Sequence, residues 1–244
     1  KQLTERNKQI ISEVEFAARF TDSSIIAVTG TNGKTTTTKL IGHILEKAGK
    51  KLSVAGNIGN SFAFEVATNP QSFYVVEVSS FQLDNIKHFK PNIAIITDVT
   101  ADHLDRYQYQ LENYMQAKLK ITQNQDESDY LIYNYDNQLI KSALADTGTR
   151  AQLTPFSTEK ELEEGIYLID KQINVSMKNN NYIMSTTDFK IKGEHNHKNA
   201  MAATAVAELL KVRRETIMQS LKSFDSVEHR MEQVLKIRNV LFIN

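Results

Sequence analysis

Hydrophobic residues in the first 145 positions fall into short β-branched runs separated by amphipathic stretches. The runs predict strands near Ile25–Val28, Leu52–Ala55, Tyr74–Val78, Ile93–Thr97 and Tyr130–Tyr133. After the first run, apolar residues recur at helical spacing at Leu40, Ile41, Ile44, Leu45 and Ala48. A second helix is predicted from about Leu111 to Thr122. Because strands alternate with helices here, this part of the chain predicts a mostly parallel sheet covered on both faces.

The pattern changes from Gln152 to Ile191, where the segments are short and rich in polar residues. Turn signals at Asp170-Lys171 and Asn179–Asn181 predict a small antiparallel sheet there. Two helices follow, an alanine-rich one near Lys198–Leu210 and another near Glu215–Leu221. The predicted fold class is therefore α/β, with a mostly parallel central sheet flanked by helices and a small antiparallel sheet.

Composition narrows the possible functions. Lys plus Arg number 29 and Asp plus Glu number 29, so no basic excess favours binding to nucleic acid or to anionic lipid. No stretch approaches the roughly 20 apolar residues that a membrane-spanning helix needs. Cysteine is absent, which removes thiol chemistry and fits a cytoplasmic protein.

The clearest chemical feature is a glycine loop after the first strand, Gly30-Thr31-Asn32-Gly33-Lys34-Thr35-Thr36. Glycines let backbone N–H groups close on phosphate oxygens, and the N-terminus of the following helix adds positive potential. Lys34 is placed to reach the terminal phosphates of a nucleotide, and the Thr35 hydroxyl to ligate Mg²⁺. A simple glycine turn accounts for Gly30 and Gly33 but not for the Lys-Thr pair that follows, so we interpret the segment as a P-loop.

Polar groups also end the neighbouring strands. Glu77 closes an otherwise apolar strand, where a carboxylate faces the ligand crevice and can bind Mg²⁺; a solvent-facing glutamate at the sheet edge is the alternative. His103 follows the fourth predicted strand and either ligates metal, contacts substrate or is simply solvated. Both residues are therefore expected to lie at the same edge of the sheet, where they are candidate ligand-binding groups.

Lys118 lies within the apolar stripe of the second helix. Leu111, Tyr114, Met115 and Leu119 form that stripe, so the lysine is directed towards the interior. Burial lowers the pKa of an amine and favours its neutral form, which can take up CO₂ to become a metal-binding carbamate. The alternative is a lysine whose stem runs outward to water.

These motifs together resemble the Mur ligases, whose nucleotide loop has the same short glycine spacing. Further stretches carry the resemblance: Gly56-Asn57-Ile58-Gly59, Glu77-Val78-Ser79-Ser80-Phe81-Gln82-Leu83, Asp102-His103-Leu104-Asp105-Arg106-Tyr107, Gln116-Ala117-Lys118-Leu119-Lys120-Ile121, Gly193-Glu194-His195-Asn196-His197-Lys198-Asn199-Ala200 and Glu228-His229-Arg230-Met231-Glu232. The first two favour the family member that adds D-glutamate to UDP-N-acetylmuramoyl-L-alanine over the relatives that add other residues.

The resemblance implies a role for each candidate residue. Residues 30–36, Asn196, Asn199 and Arg230 bind ATP, and Asn57, Ser79, Gln82 and His103 contact the muramoyl substrate. Thr35 and Glu77 hold one Mg²⁺, while His103 and carbamylated Lys118 hold a second. Lys34, Glu77, His103 and Lys118 form the implied catalytic set. For Asn196, capping of the alanine-rich helix is the alternative, with Asn199 one turn further on.

The implied reaction has two steps, transfer of the ATP γ-phosphoryl group to the substrate carboxylate and displacement of phosphate by the amine of D-glutamate. Residues 1–230 are expected to form the central ATP-binding domain, with 1–22 as a linker from an N-terminal domain, and 231–244 to begin a C-terminal domain. We expect a monomer that needs both outer domains for full activity. Other hypotheses are another Mur-type or folylpolyglutamate-type ligase, a P-loop nucleotide-binding protein without ligase chemistry, and a rigid scaffold.

Overall fold

A computed structural model describes residues 8–178 and 180–225 and, as backbone only, the strands 233–237 and 240–243. In the continuous part nine strands form one sheet: β1 Ser24–Thr29, β2 Leu52–Gly56, β3 Phe73–Glu77, β4 Ile93–Ile96, β5 Tyr130–Asn134, β6 Gln152–Ser157, β7 Gly165–Ile169, β8 Gln172–Met177 and β9 Asn180–Ser185. The later pair, β10 Gln233–Ile237 and β11 Val240–Ile243, forms an antiparallel hairpin. Asn179, Arg230 and Met231, which appear among the sequence predictions, lie outside the described residues.

Helices connect the strands and cover the sheet. They are α1 Glu13–Ala18, α2 Lys34–Lys47, α3 Phe62–Thr68, α4 Ser80–Leu83, α5 Leu111–Leu119, α6 Gln138–Thr147, α7 Glu194–Leu209 and α8 Arg214–Ser223. Two 3₁₀ helices occupy Leu104–Tyr107 and Lys120–Thr122. In the described part of the chain, no helix is long and apolar enough to cross a membrane.

The strand order places the glycine loop at a crevice in the sheet. The order is β2-β3-β1-β4-β5-β6-β7-β8-β9, and the strands are parallel from β2 to β7. Because β1 lies between β3 and β4, the direction in which the chain adds strands reverses at β1. Ligands of open α/β sheets bind at such a reversal, at the carboxyl ends of the strands.

The predicted fold class is confirmed, with one difference in the second half of the sheet. Gln152–Ser157 pairs with β5 in parallel, so it completes another βαβ unit through α6 and does not begin the antiparallel part. The antiparallel strands are β7 to β9, and they extend the same sheet. The predicted turn at Asp170-Lys171 is present, with φ of 47° and 62°, while Asn180 and Asn181 already belong to β9.

Alternate side chains of the strands pack into two separate hydrophobic cores, one on each face of the sheet. Ile26 and Val28 of β1 pack on one face with α2, α7 and α8, whereas Ile25 and Ala27 pack on the other face with α1, α3, α5 and α6. The stripe on α2 that the sequence predicts is fully buried in the first core at Leu40, Ile41, Ile44 and Leu45, and its last member, Ala48, is half-buried against that core. Burial on both faces fixes β1 from two sides and thereby fixes the loop at its carboxyl end.

A buried carboxylate ties α1 to the loop that leads into β4. The Glu15 side chain is inaccessible to solvent, and one of its oxygens accepts hydrogen bonds from the N–H groups of Lys87, His88 and Phe89 at 2.9, 2.8 and 2.8 Å. Its other oxygen accepts from the Arg19 guanidinium at 2.7 Å. Burial alone would raise the pKa of Glu15, but these hydrogen bonds outweigh it and lower the pKa to about 2.

Replacement of Glu15 by Gln should destabilise the fold in a pH-dependent way. A carboxyl with a folded-state pKa near 2 stabilises the fold above its unfolded pKa of about 4.5, and this stabilisation is lost as the pH falls towards 2. We expect Glu15→Gln to lower the free energy of unfolding by about 3 kcal/mol at pH 7 and by progressively less below pH 4.5. Urea titrations across this range measure the difference, with Glu161→Gln in the exposed β6–β7 loop as the control. Equal stability of Glu15→Gln and wild type at pH 7 would contradict the assignment.

Candidate active site

The glycine loop turns tightly between β1 and α2. Gly30 and Gly33 have φ of 149° and 83°, and Gly33 is the N-cap of α2. A Cβ atom on Gly30 would lie 2.0 Å from Thr97 Oγ1, and one on Gly33 would lie 2.4 Å from Asn199 Oδ1. Glycine is therefore required at both positions by backbone conformation and by the lack of space.

Residues that directly follow β4 hydrogen-bond to the loop and hold it in place. The Thr97 hydroxyl lies 2.6 Å from the carbonyl oxygen of Asn32 and 3.2 Å from that of Thr29. The Thr31 N–H donates to the Asp98 carbonyl at 2.6 Å, and its hydroxyl donates to the Thr100 carbonyl at 3.2 Å. These bonds hold the loop in a fixed shape before any ligand is bound, which is the preorganisation that phosphate binding requires.

Lys34 lies at the start of α2 with its side chain over the loop. Its ammonium group donates to the Thr31 carbonyl at 2.8 Å, and the side chain is half-buried. Thr35 beside it is also half-buried, and Thr36 is buried. The ammonium group and the helix N-terminus together give this end of the sheet a positive potential suited to an anion.

Glu77 lies at the carboxyl end of β3 and is buried. Asn57 donates to it twice, from its amide Nδ2 to Glu77 Oε1 at 2.9 Å and from its backbone N–H to the Glu77 carbonyl at 2.9 Å. Within the described residues Glu77 Oε2 is buried and has no hydrogen-bond partner. A buried carboxylate oxygen without a donor is costly unless a cation neutralises it, so the residue fits a metal ligand and not a solvated edge glutamate.

The inward orientation predicted for Lys118 is confirmed. The side chain is 1% exposed, its Nζ donates to the Gly30 carbonyl at 2.7 Å, and it lies 4.2 Å from the centre of the Tyr114 ring. Burial, followed by the nearby charge of Lys34, lowers the pKa of Lys118 to about 7. A substantial fraction of the amine is therefore neutral and nucleophilic near neutral pH.

His103 is more exposed than the other candidates. Its side chain is 56% exposed, its Nε2 lies 3.6 Å from Asp102 Oδ2, and its backbone has φ of 50° and ψ of 30°. The ring packs against Phe81 at 5.2 Å between centroids. Its metal and substrate roles stay predictions. Among the described residues no three His, Asp or Glu side chains gather into a metal site, so a magnesium ion here would depend on phosphate oxygens as well.

Ser79 and Gln82 form a capping box at the start of α4. Gln82 Oε1 accepts from the Ser79 N–H at 2.9 Å and from its hydroxyl at 3.1 Å, and the Gln82 N–H donates to Ser79 Oγ at 3.3 Å. The two side chains therefore fix each other. The substrate contact predicted for Gln82 would fall to its NH₂ group, which takes no part in the box.

Helix α7 brings two asparagines to the loop. It begins at Glu194 with Gly193 as N-cap, so Asn196 is not the cap, because the helix starts one turn earlier than its alanine-rich part indicates. Asn196 Oδ1 accepts from Asn199 Nδ2 at 3.2 Å, and Asn199 Oδ1 accepts from the Thr37 hydroxyl at 3.1 Å. Asn199 is thereby fixed against the P-loop helix.

Sequence reasoning assigned no role to several residues that shape the site. Thr37, Thr97 and Asp98 hold the loop, and Tyr114 covers Lys118. Thr97 and Asp98 directly follow β4, which lies beside β1. Once this strand order is known, their position predicts that they face the ligand crevice. The contact of Thr37 with Asn199 joins residues 162 positions apart and has no local signature.

Comparison with known proteins identifies relatives of the whole chain. A sequence profile of the Mur ligase middle domain matches residues 28–207. The UDP-N-acetylmuramoylalanine--D-glutamate ligase of Christiangramia forsetii is 48% identical over 99% of this chain and 54% of the relative. The ligases of the same name from Bacteroides fragilis and Thermoanaerobacter sp. are 44% and 43% identical, with 99% and 98% of this chain and 54% and 53% of the relative covered. The chain thus spans about half the length of the curated relatives it matches.

Solved structures agree on the fold. A UDP-N-acetylmuramoyl-L-alanyl-D-glutamate--2,6-diaminopimelate ligase superposes with a TM-score of 0.72 at 22% identity, covering 94% of this chain and 52% of that one. MurF from Acinetobacter baumannii superposes with a TM-score of 0.72 at 20% identity, covering 95% and 52%. At these identities the likeness concerns the fold alone.

Two glycines of similar φ allow a matched test of the loop geometry. Gly33 and Gly49 have φ of 83° and 72°, but a Cβ on Gly49 meets no atom of the described residues within 4 Å. Both Gly→Ala changes should cost about 1–2 kcal/mol of left-handed strain. Only Gly33→Ala also displaces Asn199, so it alone should weaken Mg²⁺-ATP binding, on the order of tenfold to a hundredfold. Calorimetry measures the Mg²⁺-ATP affinity of the two variants. Equal affinities would contradict the loop geometry described.

Proposed function

The chain belongs to the Mur ligase family, and from that premise we propose that it is the ATP-binding core of a ligase that joins D-glutamate to UDP-N-acetylmuramoyl-L-alanine. The product of that reaction is a peptidoglycan precursor. The observation that carries the proposal is the convergence of Lys34, Glu77 and Lys118 at the carboxyl end of β1 and its neighbours. A scaffold that only docks other domains has no need of three buried or half-buried charged groups at one sheet edge.

The first chemical step transfers a phosphoryl group. A carboxylate oxygen of the muramoyl-alanine attacks the γ-phosphorus of ATP, the new O–P bond forms, and the bond from that phosphorus to the β–γ bridging oxygen breaks to release ADP. The loop N–H groups and the Lys34 ammonium offset the negative charge that accumulates on the phosphoryl oxygens. Because the loop is already fixed by Thr97 and Asp98, this stabilisation needs little reorganisation.

In the second step the amine of D-glutamate attacks the carbonyl carbon of the acyl phosphate. The C–N bond forms, the C–O bond to phosphate breaks, and the departing phosphate takes up the proton that the amine loses. Thr35 and Glu77 would hold one Mg²⁺, and His103 with carbamylated Lys118 a second. Such ions, when bound, neutralise phosphate charge and orient the reacting oxygens. The buried Glu77 Oε2, which has no hydrogen-bond partner in the described part of the chain, supports this arrangement.

A carbamate on Lys118 is compatible with the contacts of that side chain. A carbamylated amine keeps one N–H, which can continue to donate to the Gly30 carbonyl, now 2.7 Å from Nζ. The pKa near 7 provides neutral amine for attack on CO₂. The new carboxylate would add the anionic oxygen ligand that Mg²⁺ prefers.

Carbamylation can be observed directly. With ¹³C-bicarbonate and Mg²⁺-ATP, the chain should show a carbamate carbonyl resonance that is absent in Lys118→Gln and retained in Lys47→Gln, a control on the exposed end of α2. The signal should weaken as the pH falls well below 7, because protonation of Lys118 removes the nucleophile. An equal signal in wild type and Lys118→Gln would contradict the assignment.

The preference for D-glutamate rests on the motifs at Gly56–Gly59 and Ser79–Leu83 and on the names of the relatives. A ligase for another amino acid is the nearest alternative, and a P-loop protein without ligase chemistry is the more distant one. We also propose that the protein acts in the cytoplasm on small molecules as a monomer, with ATP, D-glutamate and the muramoyl nucleotide as its partners.

The proposal is tested by restoring the length of the relatives. This chain should replace the matching segment of the Christiangramia forsetii ligase and give a chimera that releases phosphate only when UDP-N-acetylmuramoyl-L-alanine and D-glutamate are both present. Lys34→Ala should lower turnover on the order of 10²–10³-fold, because it removes a charge from the transferring phosphate. Lys47→Ala should leave turnover unchanged. Ligation of a different amino acid would refute the proposed substrate, and the absence of any ligation would refute the ligase function.

A further inference from the structure

Apart from Asn57, which follows β2, the residues predicted to contact substrate and the second metal lie in three separate segments. Ser79 and Gln82 begin α4, His103 precedes the 3₁₀ helix Leu104–Tyr107, and Lys118 lies near the end of α5. For these groups to act together, the segments must keep a fixed relative position. A single-turn 3₁₀ helix has little stability of its own, so the His103 segment depends on ties to its neighbours.

One side chain ties all three segments together. Asp84 is the C-cap of α4, and its own N–H donates to the Ser80 carbonyl at 3.0 Å. Asp84 Oδ2 accepts from the Tyr107 hydroxyl at 3.2 Å and lies 3.7 Å from Arg106 Nε, both on the 3₁₀ helix. Asp84 Oδ1 accepts from Lys120 Nζ at 3.2 Å, just after α5. The side chain is 22% exposed, so water competes only partly for these bonds.

Aromatic contacts extend this tie to His103. The Arg106 guanidinium lies 4.4 Å from the centre of the Phe81 ring, which stacks on Tyr107 at 6.4 Å and contacts the His103 ring at 5.2 Å. Phe81 lies between Ser79 and Gln82, so the ring connects the capping box to the histidine. Asp84 bonds to Arg106 and Tyr107, both of which contact Phe81, and His103 packs on that same ring.

We propose that Asp84 is a positioning residue of the ligase reaction, which sets the location of His103 relative to the capping box and α5. This inference rests on the proposed function for its kinetic consequence but not for its structural one. Loss of the Asp84 charge should release Arg106 and Lys120, loosen the 3₁₀ helix and let His103 move. The P-loop has its own supports in Thr97 and Asn199, so nucleotide binding should be unaffected.

The structural consequence is measurable on the chain itself. The Cε1–H resonances of its six histidines can be recorded by NMR, with His103 assigned through His103→Gln. Asp84→Asn should shift or broaden the His103 resonance and leave those of His195 and His197 in place, and Asp84→Glu should restore the wild-type position. Asp126→Asn, which removes one of the two carboxylates that pair with Lys90 ahead of β4 and β5, is the matched control. An unchanged His103 resonance in Asp84→Asn would overturn the proposal.

The kinetic consequence is measured in the full-length chimera. Asp84→Asn should raise the KM for the muramoyl substrate on the order of tenfold, while calorimetric affinity of the chain for Mg²⁺-ATP stays at the wild-type value. Asp84→Glu should recover most of the KM, and Asp126→Asn should not change it. An active wild-type chimera in which Asp84→Asn leaves KM unchanged would overturn the role of Asp84 alone. A wild-type chimera that makes no product would instead refute the proposed function and leave the NMR result to decide on Asp84.

Discussion

The close approach of the loop backbone to Thr97 and Asn199 is the constraint on which the site depends. A Cβ atom at Gly30 or Gly33 would overlap these two side chains, so the loop passes through a gap that only glycine fits. Thr97 directly follows β4 and Asn199 belongs to α7, and both elements are anchored in the buried sheet and its covering helices. The geometry of the loop is therefore a consequence of the packing of the whole fold and does not depend on a ligand.

Around this loop, buried charges are placed where function needs them, at a cost in stability. Lys118 is almost completely buried against the Gly30 carbonyl, and Glu77 keeps one buried oxygen without a donor among the residues that the structure describes. Neither arrangement is favourable in an isolated protein, because burial disfavours the charged form of each group. The Glu77 arrangement becomes favourable if a cation occupies the crevice, and the Lys118 arrangement becomes favourable if its amine is neutral or carbamylated. Glu15 is the contrasting case, since all its bonds are internal and its role is to hold the fold.

Sequence predicts the parts of this protein that have a local pattern. The parallel strands, the stripe on α2 and the glycine turn before it each follow from spacing within a few residues, and the structure agrees with them. The direction of β6 cannot be predicted from local sequence. The pattern of Gln152–Ser157 fits a parallel or an antiparallel strand equally well until its partner strand is known. Thr97, Tyr114 and Asp84 likewise matter through contacts with residues far along the chain. Asn196 is a case in which a local pattern misleads. Asparagine has a strong capping propensity, but the helix already begins at Glu194, so Asn196 lies inside it.

The central claim is that the Gly30–Thr36 loop and Glu77 form one site for Mg²⁺-ATP. The most direct measurement is a crystal structure of the chain with Mg²⁺ and a non-hydrolysable ATP analogue. The account predicts triphosphate density on the N–H groups of the loop beside Lys34, with a metal ion against Glu77 Oε2. Triphosphate bound instead in the open groove of about 940 Å³ along α2, lined in part by Lys39, His43 and Lys50, would contradict it.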